Sequence, residues 1–209
     1  MTTPLHEQRL NAVHGVVRAR GARSVLDLGC GDGAFLTRLL AEPHIERIVG
    51  IDASHDALQR LRARLETLTA HRPGARVELI HGSMTEARGA FAGFDCAVML
   101  ETVEHIDPQR LSVLEHAVFA TLRPAVVVIT TPNAEFNPLL GIAANRFRHP
   151  DHRFEWGRSK FRDWTQGVAR RNGYRVACSD LAGRHPEYGG ASQMGVFDLV
   201  AATPHRIGA

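Results

Sequence analysis

Apolar positions along the chain fall into two alternating rhythms, one with the period of an amphipathic helix and one with the density of a buried strand. Leu5, Ala12, Val13, Val16 and Val17 form a helical stripe between Leu5 and Arg20, and Gly21 is a left-handed stop, which predicts a leading helix within residues 1–21. Arg23–Leu28 reads as a buried strand, followed by Gly29-Cys-Gly-Asp-Gly33 and a short helix through Phe35, Leu36, Leu39 and Leu40. Arg47–Asp52 is the second strand, and Ser54 is a suitable N-cap for a helix carrying Ala57, Leu58, Leu61, Leu65 and Leu68, closed by a turn at Pro73-Gly74. Val77–Ile80 is the third strand and Phe94–Leu100 the fourth. Asp107-Pro108 opens a helix with Leu111, Leu114, Val118 and Leu122 on its buried face, and the β-branched run Val126–Thr130 is the fifth strand. After Thr131-Pro-Asn133 the rhythm lapses until Glu155. A helix over Ser159–Asn172, packed through Phe161, Trp164 and Val168, and strands near Tyr174–Cys178 and Gln193–Ala201 complete the chain.

Strands alternating with helices five times over imply an α/β domain built on a doubly wound sheet. Only a loop separates the last two strands, so they pair antiparallel. Seven strands, mostly parallel and closed by an antiparallel C-terminal strand, resemble the arrangement of the class I S-adenosylmethionine-dependent methyltransferase fold, which is the expected fold. A length of 209 residues with 44% apolar content suits one domain spanning 1–209, with 134–158 inserted after the fifth strand as a substrate and metal loop. No stretch approaches the roughly eighteen apolar residues that cross a bilayer, and Met1–Gly15 has no signal-peptide core. The three cysteines, Cys30, Cys96 and Cys178, form no C-x-x-C pair, which fits a reducing cytoplasm and no membrane partner.

Chemistry concentrates where the fourth strand ends. Glu101-Thr-Val-Glu104-His105 sets two carboxylates and an imidazole at a strand terminus, the place where open α/β sheets bind ligands. Hard oxygens beside a ring nitrogen suit a divalent cation, manganese or cobalt first and magnesium second. A complete site needs a further ligand, and His149-Pro-Asp-His152-Arg-Phe-Glu-Trp156 offers two histidines and two acids. The net charge of +3 is small, but between Arg146 and Arg171 eight Arg or Lys face three acids, a patch able to hold a phosphate backbone.

Asp27-Leu-Gly-Cys-Gly-Asp-Gly33 lacks the G-x-G-x-x-G spacing that fits a pyrophosphate and resembles the first motif of class I methyltransferases. Asp27, Gly29, Cys30, Gly31 and Gly33 are accordingly expected at an S-adenosylmethionine site, with Asp52 accepting the cofactor's ribose hydroxyls and Ser83 beside its adenine. A metal next to a sulfonium favours methyl transfer to a hydroxyl, because an unassisted alcohol is a poor nucleophile.

Glu101-x-x-Glu104-His105, Thr130-Thr-Pro-Asn133 with Glu135 and Asn137, the nonapeptide 148–156 and Ser192-Gln-Met-Gly-Val-Phe197 together resemble the Hua-enhancer-type small-RNA 3′-terminal ribose 2′-O-methyltransferases, the bacterial type most closely. The resemblance implies Glu101, Glu104, His105 and His152 as metal ligands and catalytic groups, an RNA 3′ end with a free 2′,3′-diol as substrate, and an RNA repair kinase or ligase as partner. Arg146, Arg148, His149, Arg153 and Arg158 would then contact the RNA, with His105 or His149 as candidate proton acceptors. Trp156 is a candidate base-stacking group, although Phe154, Trp156 and Trp164 suit a core better. Two departures, Gly157 where relatives usually carry Thr and Lys160 near which they usually carry an acid, imply a looser or more basic start to the following helix. A metal-dependent O-methyltransferase of catechol-like diols is the competing enzyme, and an inactive RNA-binding module the competing non-enzyme; the arginine excess argues against the first and the intact ligand set against the second.

Overall fold

The computed structural model describes residues 3–69, 76–86 and 89–200. Seven strands form one sheet: β1 (Ser24–Leu28), β2 (Arg47–Asp52), β3 (Arg76–His81), β4 (Cys96–Leu100), β5 (Val126–Pro132), β6 (Tyr174–Leu181) and β7 (Ser192–Leu199), in the order β3-β2-β1-β4-β5-β7-β6. Pairings through β5 are parallel; β7 runs antiparallel to β5 and to β6. The strand order reverses between β1 and β4, which opens a crevice at their carboxyl ends.

Period-two alternation assigns each strand residue to one of two apolar layers. Val25, Ile48, Cys96, Val98 and Val128 meet α1 (Pro4–Ala19), α2 (Ala34–Leu40) and α3 (His55–Thr69) through residues such as Val13, Leu36 and Leu61. Leu26, Val49, Met99, Ile129 and Phe197 meet the other layer, formed by α4 (Leu111–Glu115) with its continuation 116–122 and by α5 (Arg158–Asn172). Capping follows local chemistry: Thr3 accepts from His6 N at 3.3 Å, Ser54 from Ala57 N at 3.2 Å, and Asp107 from Gln109 N at 2.9 Å.

The expected elements are present, with three differences. The helix opened at Asp107 begins as a 3-10 turn and widens into a π-helix over His116–Leu122, ending at Arg123 with φ 47°. The wider turn buries Ala117, Val118 and Phe119 in succession, a burial that a strict α-helical stripe does not provide. Strands β5 and β6 run on to Pro132 and Leu181 because their β7 partner supplies hydrogen bonds along the whole length. The start of α5 is clamped: Glu135 accepts from Arg158 N at 2.7 Å and lies where any side chain at Gly157 would stand, so glycine here admits a carboxylate cap. The turn expected at Pro73-Gly74, and Ala201 of the last predicted strand, lie outside the described residues.

Phe119 packs edge-on against Tyr174 and Phe197, with ring centroids 5.3 and 4.9 Å away, and joins the π-turn to the antiparallel hairpin. Phe119→Ala is expected to destabilise the domain by about 3–5 kcal/mol. Urea unfolding at constant m value checks this, and a loss under about 1 kcal/mol would mean the hairpin packs independently of the turn.

Candidate active site

A cavity of about 400 Å³ opens at the carboxyl ends of β1, β2, β3 and β4. Gly29 and Gly31 form one wall, Asp52 and Ser83 line it from the next two strand ends, and Glu101 and His105 close the far side. Gly29 has φ 83°, and a Cβ there would stand 2.4 Å from Thr102 Cγ2, so the loop passes directly against the acidic turn. The Asp52 carboxylate accepts from Gly31 N and Ser54 N, both at 2.7 Å, which fixes it at the cavity rim. Two wider surface clefts of about 600 Å³, beside Arg38 with Arg64 and beside Arg18 with His44, do not reach the acidic turn.

Asp27, Cys30 and Gly33, expected as cofactor contacts, do not line this cavity. Asp27 is buried within β1, and burial, reinforced by the nearby Asp52 charge, pushes its carboxyl up to about 7. Cys30 is buried with its thiol against Gly50, and burial raises its pKa as well. Gly33 lies against Leu61, whose side chain leaves no room for a Cβ. The division has one physical cause: Asp27 still belongs to β1, and the five residues 29–33 turn, so they face core, helix and cavity by turns.

Glu101 is held in the left-handed region at φ 53°, a conformation costly for a side-chain-bearing residue and concentrated at functional sites. Its N–H donates to Thr130 O and Oγ1, and its Oε2 accepts from Ser192 Oγ at 3.0 Å beside Arg9 Nη1 at 3.5 Å. Glu104 is wholly buried; Oε2 accepts from Thr131 Oγ1 at 3.0 Å, while Oε1 has no partner, and neither has Glu101 Oε1. Burial first, and the Glu101 charge second, hold the Glu104 carboxyl well above the usual carboxylate range. Two buried, unpaired carboxylate oxygens on neighbouring acids have the donor chemistry of a cation site.

The loop after β5 brings histidines to the same turn. Arg153 N donates to Glu104 O at 2.8 Å, pinning the segment that carries His149 and His152. The ring centroids of His105 and His152 are 4.8 Å apart, and those of His105 and His149 5.9 Å. Among the described residues, the group whose ligand atoms lie within 4.8 Å of one another is His105, His149 and His152; neither glutamate is in it. Burial, then the two neighbouring imidazoles, lower the pKa of His105 and keep its ring neutral. His152 Nδ1 lies 2.6 Å from Glu155 Oε1, and that carboxylate is otherwise engaged by Asn137 Nδ2 and Arg148 N. A carboxylate accepting at Nδ1 leaves His152 Nε2 as the free lone pair, the arrangement of a metal-binding imidazole.

Residues 25–125 match the Methyltransferase domain family. A solved bacterial CtHen1-C methyltransferase domain is 38% identical, with a TM-score of 0.83 over 94% of this chain and 100% of that one. The chain belongs to the Hen1 family. The Small RNA 2′-O-methyltransferase of Mus musculus is 37% identical over 203 residues, 93% of this chain and 51% of the relative. A solved small RNA methyltransferase HEN1 superposes with a TM-score of 0.89 at 29% identity, over 97% of this chain and 27% of that one. This Hen1 chain thus spans about half the length of the curated relatives it matches. Among its described residues no helix is long and apolar enough to cross a membrane.

The five expected RNA contacts divide sharply. Arg146, His149 and Arg153 are exposed. The Arg148 guanidinium is spent internally on Asn137 Oδ1 and the carbonyls of Ala191 and Asn133, and burial lowers its pKa. Arg158 is bound by Glu135 and the Glu187 carbonyl. Trp156 is buried and stacked on Phe154 at 4.2 Å, with Trp164 beside it, so these aromatics are core and not base platforms. Periodicity gave no warning of Arg9, which reaches from α1 to Glu101. Glu155 was readable from its i+3 spacing to His152.

Asp27 gives a pH dependence. In the unfolded chain it loses its proton near 3.8 and in the folded domain near 7, so the folded state holds the extra proton between those values. Its contribution to stability is therefore complete below about 4 and is lost as pH rises to about 7. Asp27→Asn is expected to gain stability over wild type progressively from about pH 4 to about pH 7 and to hold that gain above it, read as the difference between their urea midpoints; a constant difference across that window would place the Asp27 titration outside it.

Proposed function

We propose that this chain transfers the methyl group of S-adenosylmethionine to the 2′-hydroxyl of a 3′-terminal RNA ribose, assisted by a divalent metal at the acidic turn. One observation carries the reading: a single cavity has Asp52 and Ser83 on one side and Glu101 and His105 on the other. A nucleoside cofactor and a reacting hydroxyl can therefore share it.

Glu101, Glu104, His105 and His152 are the residues that would hold the ion. The fit rests on the unpaired Glu101 Oε1 and Glu104 Oε1, which a cation would satisfy while removing their mutual repulsion. When bound, such an ion lowers the pKa of a hydroxyl and fixes its direction. The chain's own groups do the rest. Asp52 has lone pairs beyond those used by Gly31 and Ser54 for ribose hydroxyls of the cofactor. Met84, Leu100 and Ile106 give the cavity an apolar lining that keeps water from the sulfonium. Neutral His105 can ligate or take up a proton, and Ser192, donating to Glu101, orients that carboxylate. Exposed Arg146 and Arg153 are free to meet the terminal phosphates. The reading includes an RNA repair kinase or ligase as partner, as the family resemblance implies, and a cytoplasmic setting, which three scattered cysteines with no C-x-x-C pair suit.

Incubation with labelled cofactor, Mn²⁺ and a short RNA ending in a free diol or a 2′-deoxy nucleotide is expected to label only the diol end and protect it from periodate. Equal labelling of both would redirect the assignment to a base, and labelling of a catechol in place of RNA to a small-molecule enzyme. Glu104→Gln keeps the Thr131 hydrogen bond and removes the charge. Its turnover is expected to fall at least about 100-fold, with S-adenosylhomocysteine affinity within about threefold; full activity at low metal would remove Glu104 from the ligand set.

A further inference from the structure

We infer that His149 is a further ligand of the metal site, so that three imidazoles, His105, His149 and His152, grip a transition-metal ion beside the two glutamates. The inference rests on the proposed binding of a cation at the acidic turn. It goes beyond that reading in assigning the exposed His149 to the ion, where the family resemblance placed it toward RNA.

Three features of the loop point the same way. The ligand atoms of the three histidines lie within 4.8 Å of one another, so small side-chain movements would bring them to a common ion. The three rings touch pairwise, His149 and His152 having centroids 5.6 Å apart. Each loop histidine also has an acid at its Nδ1. Glu155 lies 2.6 Å from His152 Nδ1, and Asp151 Oδ2 lies 3.8 Å from His149 Nδ1. In the free protein His149 Nδ1 accepts a 3.2 Å bond from Asp151 N, so ligation through Nε2 exchanges that bond for donation to the Asp151 carboxylate. The result is a second carboxylate–histidine–metal relay beside the one at His152. The same loop is tied to the acidic turn by Arg153 N, which donates to Glu104 O at 2.8 Å. An additional imidazole favours cobalt or zinc much more than magnesium, which prefers oxygen ligands and water.

The test is calorimetric titration of the purified chain with Co²⁺ and Mg²⁺ separately, with the visible spectrum of the cobalt form as a second readout. His149→Ala is expected to weaken Co²⁺ about 10–100-fold and shift the cobalt bands, while Mg²⁺ affinity changes less than about threefold. If the alanine variant lowers the melting temperature of the metal-free protein, His149→Asn, whose side-chain oxygen can still accept from Asp151 N, takes its place. Unchanged cobalt affinity and spectrum would overturn the inference. Equal weakening of both ions would overturn it too, assigning His149 to support of the loop. A wild-type chain that binds no divalent ion would remove the metal from the proposed function as well. Normal metal binding and RNA methylation in both wild type and His149→Ala would remove only His149.

Discussion

The centre of this molecule is a carboxylate with no access to water. Glu104 is fully buried, faces the charge of Glu101 and leaves one oxygen unpaired, a combination that disfavours the anion by burial and by repulsion together. A fold optimised for stability alone would place an apolar side chain there, because an uncompensated buried charge is among the costlier features a domain can carry. The surrounding chain instead braces the acid: Thr131 of β5 donates to it, and the loop backbone at Arg153 donates to its carbonyl. Glu101 is held in strained backbone beside it.

That bracing explains why the sheet is extended on the β5 side. Strand β7 sets Ser192 opposite Pro132 in register, which delivers its hydroxyl to Glu101, while α1 brings Arg9 to the same carboxylate from the opposite layer. The loop between β5 and α5 is long and irregular, yet it is tied down. Asn133 bonds the carbonyls of Tyr188 and Gly190, Arg148 bridges Asn137, Ala191 and Asn133, and Gln193 holds the Trp156 carbonyl. These buried polar contacts hold His152 beside His105 without any regular secondary structure, much as backbone groups in a loop must find partners wherever they are buried.

The basic segment shows how a charge count can mislead. Eight cations against three acids between Arg146 and Arg171 read as one phosphate-binding patch. In the folded domain Arg148 is a part-buried strut, Arg158 and Arg171 are paired with Glu135 and Glu115, and only part of the excess faces solvent. The acids that neutralise it lie at positions 115 and 135, outside the window in which the charges were counted. A sequence window sees neighbours in the chain; the field belongs to neighbours in space.

Much of the fold was legible because it depends on local rules. Dense apolar runs buried on both faces gave the strands, caps at Ser54 and Asp107 gave helix starts, and alternation of element types gave a parallel sheet with an antiparallel close. The acidic turn was legible for the same reason, since five consecutive residues at a strand end share one position. What the sequence could not decide is which side chains meet across distance: that Cys30 and Gly33 turn from the cavity, that Phe119 is buried by a π-turn, that Arg9 reaches Glu101, and that His149 comes within reach of His105 and His152. Local propensity acts over a few residues along the backbone. Contacts between segments 44 or 92 positions apart depend on how strand order and loop anchoring fold the chain back upon itself, and only the tertiary structure contains that information.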